Sequence, residues 1–132
     1  MTNEAIRKAV ATQIKAINWA PLTKPKWLKV NREGKPDPKA YWIRPVVRMG
    51  TATGIEKGGV GIRTGVMICQ VAAPFSSGES ETLQYCDKIE AAFRQQSIDG
   101  LDFNEPYTVE VGKGENHRQY NVNCPFTAFV GE

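Results

Sequence analysis

The side chains that could do chemistry in this chain are few and scattered. Cys69, Cys86 and Cys124 lie far apart, each inside an apolar pattern, and the one histidine, His117, sits in a polar stretch from Lys113 to Arg118. Nucleophilic catalysis of the Ser-His-Asp or Cys-His kind needs that imidazole beside a nucleophile, with a third group to orient it. The spacing supplies no such convergent set. A structural zinc site would need two close cysteine pairs or a Cys/His cluster, which the chain lacks. The residues therefore predict no enzyme, no metal and no cofactor. The odd, separated cysteines read as reduced thiols in a core.

One segment invites a phosphate-binding reading. Gly50, Gly54, Gly58, Gly59, Gly61 and Gly65 follow one another with few bulky residues between them. The Lys-Ser/Thr ending of a P-loop is missing, and Gly59 and Gly61 lack the rest of a dinucleotide fingerprint. Two readings remain. The segment is either a connection between two antiparallel strands or an arm that orders against a neighbouring subunit, with Gly54, Glu56, Lys57, Gly58 and Gly59 as its contact groups.

The elements that must position these groups are legible from periodicity. Ile6, Val10, Ile14 and Ile17 predict an amphipathic N-terminal helix, with Thr2 and Asn3 as caps and an end near Asn18 and Pro21. Trp27 to Val30 predicts a short strand, followed by a turn-rich stretch from Asn31 to Pro38. Trp19 and Trp27 are expected to pack over the edge of the core. From Ala40 to Met49 the pattern alternates, with Tyr41, Ile43, Val47 and Met49 on one face and Trp42, Arg44, Val46 and Arg48 on the other. Pro45 removes a ladder donor, so this strand is expected at an edge or with a bulge.

Ile62 to Ala72, apolar on both faces, predicts a central strand. After a turn from Pro74 to Gly78, Ser76 and Glu79 have the spacing of a capping box, and Leu83, Cys86, Ile89 and Phe93 predict the buried stripe of a second helix. Tyr107, Val109 and Val111 predict a strand with those residues inward and Thr108 and Glu110 outward. Tyr120, Val122, Cys124, Phe126, Ala128 and Val130 alternate as the inward face of a last strand. Helix, strands, helix, strands, without repeats or linkers, predict one α+β domain over residues 1–132: a mostly antiparallel or mixed sheet with both helices on one face.

Composition bounds the function. The 132 residues are 41% apolar and 23% charged, near the globular average. The net charge of +3 arises from 17 basic and 14 acidic residues, too balanced to mark a nucleic-acid binder. The basic run Lys24, Lys26, Lys29, Arg32, Lys35 and Lys39 reads as a solvated loop before it reads as a DNA contact. No apolar stretch is long enough to span a bilayer, and the N-terminal residues lack a signal-peptide core, so no membrane partner and a cytosolic origin are expected.

The layout resembles the tail terminator and tail completion proteins of long-tailed bacteriophages. The residues that carry the resemblance are Ile6 to Ile17, Tyr41-Trp42-Ile43-Arg44, Gly65 through Gln70-Val71, the Pro74 to Gly78 turn, Ala91-Ala92-Phe93, and the apolar strand after Asn121. The basic segment from Lys24 to Lys39 departs from that pattern. The resemblance implies a structural virion protein that forms a homo-oligomeric, usually hexameric, ring on the tail tube. Such a ring ends tube polymerisation and offers a surface to the head–tail connector, and DNA passes through its lumen without specific binding. It also implies assembly in the host cytoplasm and a place in the virion tail.

A ring subunit needs no chemistry; it needs surfaces. Trp42, Arg44 and Arg48 are the candidate contact groups outside the Gly-rich segment, because aromatic and Arg side chains are enriched at interface hot spots. The competing reading of the same residues is an ordinary exposed or helix-covered strand face. A head-completion or connector protein of the same particle and a small nucleic-acid-binding module are the alternative functions.

Overall fold

The apolar run that begins at Ile62 lies in the middle of the molecule. In the structure, a computed structural model that describes residues 3–27, 40–53, 61–74, 78–98, 100–113 and 117–130, the chain order is α1 (Asn3–Lys15), β1 (Lys26–Trp27), β2 (Trp42–Thr53), β3 (Gly61–Pro74), α2 (Glu79–Phe93), β4 (Ser97–Ile98), β5 (Leu101–Phe103), β6 (Tyr107–Lys113) and β7 (His117–Val130). The strands form one sheet in the order β1-β2-β3-β7-β5-β4, with β6 also paired to β7. Among the described residues only the two-residue β1 runs parallel to its neighbour, and the other pairings are antiparallel. The β3–β7 register runs without a break from Gly61↔Val130 to Pro74↔His117. The fold is α+β.

Strand alternation divides the sheet into two faces. Ile43, Met67, Cys69, Val71, Val122, Cys124, Phe126 and Ala128 point to one face and are buried there with Ile6, Val10 and Ile14 of α1 and Tyr85, Cys86, Ile89 and Phe93 of α2. Gln13 Nε2 donates to the Ala92 carbonyl at 2.7 Å and ties α1 to α2. The alternation expected for β2 is present, as is that for β7 from Tyr120 to Ala128, and β2 lies toward the sheet edge with a bulge between Met49 and Ala52. Trp19 is buried and lies 5.8 Å from the Tyr85 ring, whose hydroxyl donates to the Thr23 carbonyl.

Several expectations change. The buried stripe of α2 is Thr82, Tyr85, Cys86, Ile89 and Phe93, whereas Leu83 is 39% exposed. The reason is one of phase: Tyr85 is buried, stacks on Tyr41 and lies beside Trp19, which turns Leu83 off the core. α2 starts at Glu79 with Gly78 as its N-cap and no side-chain cap bond, so Glu79 stands one residue into the helix and not at the third position that a capping box needs. Thr82 Oγ1 donates to the Gly78 carbonyl instead. The first short strand forms at Lys26–Trp27, and residues 28–30 lie outside those described, as does Ser76.

The Gly-rich stretch is not loop throughout. β2 reaches Thr53 and β3 starts at Gly61, with Ala52 paired to Arg63 and Thr53 to Ile62. Gly50 and Gly65 are strand residues that allow close approach: a Cβ on Gly50 would meet the Thr64 carbonyl oxygen at 2.7 Å.

A candidate interaction surface on the open sheet face

No described element covers the sheet face opposite the helices. The register lays out its rows: Trp42, Ala72 and Gln119; Arg44, Gln70, Asn121 and Val109; Val46, Ile68, Asn123 and Tyr107; Arg48, Val66 and Pro125. Amides and short aliphatics alternate across it. Arg44 Nε donates to Gln70 Oε1 at 2.6 Å, which fixes the guanidinium against the sheet. Lys26 Nζ stands 5.5 Å from the centre of the Trp42 ring. Trp42, Ile43, Arg44, Gln70, Ala72 and Gln119 line a shallow hollow of about 200 Å³. The candidates Trp42, Arg44 and Arg48 thus share this face, with Arg48 exposed and the other two half-buried. Gly54, Glu56, Lys57, Gly58 and Gly59 lie outside the described residues.

The face holds residues that the sequence placed elsewhere. Tyr107, Val109 and Val111 are 54%, 45% and 53% exposed, the reverse of their expected inward orientation. Register is the cause. β6 pairs Tyr107 with Asn123 and Val109 with Asn121, and opposed residues of an antiparallel pair share a face. Thr108, opposite buried Val122, faces the helices and donates its hydroxyl to Glu90 Oε2. Period-two alternation defines two faces of a strand without saying which is buried. Only the pairing partner decides that.

On the helix side the three thiols are enclosed in the core. Cys69, Cys86 and Cys124 are buried and unpaired in disulfides. Burial pushes the Cys86 and Cys124 thiols up to about 12 and the Cys69 thiol higher still. These are the reverse of the conditions that make a thiolate nucleophile. Among the described residues no three His, Cys, Asp or Glu side chains gather as metal ligands, and no helix is long and apolar enough to cross a membrane.

No family model matches the chain, and no curated protein matches it. One solved structure whose name carries no functional description is similar in fold, with a TM-score of 0.65 at 17% sequence identity. The likeness covers 100% of this chain and 99% of the other. At that identity it bears on the fold alone, and it extends over the whole arrangement of sheet and helices.

Proposed function

We propose that the chain is the subunit of a ring that caps a phage tail tube, ends its polymerisation and offers a surface for head–tail joining. The observation that supports it is the open sheet face, which combines exposed Tyr107, Val109 and Val111 with Trp42, Arg44 and Arg48. An uncovered surface rich in aromatic, aliphatic and Arg groups is typical of association sites. A stable contact buries about 800 Å² per partner, so a domain of this size caps a tube only as several copies acting together. The partners of this reading are further copies of the chain, ideally six, the tail tube protein and the head–tail connector, with DNA passing the lumen without specific binding; the place of action is the virion tail.

Sedimentation velocity of the protein alone and mixed with tube protein tests the reading. A ring sediments at a multiple of the 14.6 kDa monomer, and Arg44→Glu with Arg48→Glu abolishes co-sedimentation with tubes while circular dichroism stays as in wild type. A protein that remains monomeric at every concentration, with and without tubes, refutes it.

A further inference from the structure

Among the described residues the two lateral edges of the sheet differ in charge, one basic and the other with more acids than bases. On the β1–β2 side stand Lys26, Arg44 and Arg48, and on the open face the one carboxylate among the described residues is Asp102, away on β5 beside Ser97. On the β6 side, α2 presents Glu79, Leu83 and Asp87 at four-residue steps, all exposed. Glu90, a turn further on, reaches Thr108 of β6, so this flank of the helix overhangs that edge. Glu110 is exposed on β6 itself, and Glu110 and Glu79 both lie close enough to Tyr120 to raise its phenol, second to burial. Among the described residues the cations on this side are Lys113 at the end of β6, Arg118 and Arg94, and Arg94 is engaged with Glu90 at 3.1 Å and Glu105 at 2.8 Å.

We infer that copies of this chain meet head to tail, the basic β1–β2 edge of one against the acidic β6–α2 edge of the next. This rests on the ring reading above and names its subunit contact. Unlike edges at every contact make a heterologous interface, which gives a ring where the rotation between neighbours closes and a filament where it does not. Strand direction agrees. β2, β3, β7 and β6 alternate in direction, so a rotation about an axis along the strands brings β6 beside a β2 that runs antiparallel to it.

Side chains, not a shared ladder, make this contact. Tyr41 accepts from the Lys26 N–H, so the backbone groups of Tyr41, Ile43 and Pro45 point away from β3, and Pro45 leaves a missing donor on that outer edge. β6 is bulged between Glu110 and Gly112. Both edges are blunted against strand addition, while their charges remain complementary. Leu83, between Glu79 and Asp87, and half-buried Val46, between Arg44 and Arg48, give each edge an apolar centre.

A mixing experiment decides it. One variant carries Lys26→Glu and Arg48→Glu, and a second carries Glu79→Lys and Glu110→Lys. Each alone has two like edges and should need at least about tenfold more protein to assemble in sedimentation velocity, with unchanged circular dichroism. Equimolar mixing restores unlike edges at every contact, so assembly should return to near the wild-type concentration and weaken as salt is raised. If both variants assemble as wild type does, or if the mixture fails to recover, the edge assignment is wrong and the ring reading stands. A wild type that never assembles removes the ring reading and this inference with it.

Discussion

Gly65 forms the floor on which the Phe126 ring rests: a Cβ at Gly65 would lie 2.6 Å from Phe126 Cζ and 2.7 Å from the Arg48 carbonyl oxygen. The two residues are register partners on β3 and β7, facing the helices. Phe126 in turn meets Phe103 edge-on at 5.7 Å, and Phe103 lies 4.9 Å from Phe93. The missing side chain on the central strand thus seats an aromatic chain that reaches the end of α2.

Gly65→Ala should therefore destabilise the protein by about 1–3 kcal/mol, since both the ring and the backbone opposite must shift to admit a methyl group. Denaturant titration measures this. An unchanged midpoint would show that the β2–β3 pair yields to the extra atom at little cost.

Phe93 closes the same aromatic chain and is fully buried. Phe93→Ala should cost about 3–5 kcal/mol, the range for emptying an aromatic site in a packed core. A loss below about 1 kcal/mol would mean that the neighbouring rings collapse into the space.

How much of this was legible in the sequence depends on whether periodicity alone sufficed. The final strand was readable because Tyr120 to Ala128 alternate without exception and one side of that alternation is wholly apolar. For β6 the pattern was as regular and the reading came out reversed, because Thr108 is drawn inward by Glu90 and by its register with Val122, a long-range pairing that no local spacing reports. The α2 stripe was off at Leu83 for a related reason, since Tyr85 is recruited by Tyr41 and Thr23 from distant parts of the chain. Gly50 read only as part of the Gly-rich connection, because glycine signals freedom and close packing with the same letter, whereas Gly65 fell inside the strand expected from Ile62 to Ala72. Trp42, Arg44 and Arg48 were placed together correctly, since they needed only the local alternation around Pro45.

The three thiols give a pH signature. Burial raises Cys86 and Cys124 from 9.0 to about 12 in the folded protein, and Cys69 further. A group whose folded pKa lies above its unfolded value contributes stability that is fully present below the unfolded pKa and is lost as pH rises through the folded one. The urea midpoint should therefore fall between about pH 9 and pH 12 and fall less steeply in a Cys69→Ala, Cys124→Ala variant. Identical slopes would show that other groups govern the alkaline loss. In neutral buffer the native protein should not react with an aromatic disulfide reagent, and it should react fully once unfolded.

The last prediction separates assembly from folding on the open face. Tyr107 and Val109 are about half exposed and share rows with Asn123 and Asn121, so in the monomer they contribute little to the core. Tyr107→Thr with Val109→Thr puts a β-branched, strand-favouring residue at both positions, and stability should change by less than about 1 kcal/mol. If this face is the association surface, the double variant loses an aromatic anchor and an aliphatic neighbour from it, and its binding to tail tubes should weaken by at least about tenfold. Co-sedimentation with tubes reads the effect, and thermal melting of the variant alone supplies the control. Normal tube binding with a normal melt would take Tyr107 and Val109 out of the interface. A large drop in melting temperature would instead show that the two side chains support the monomer itself, contrary to their exposure.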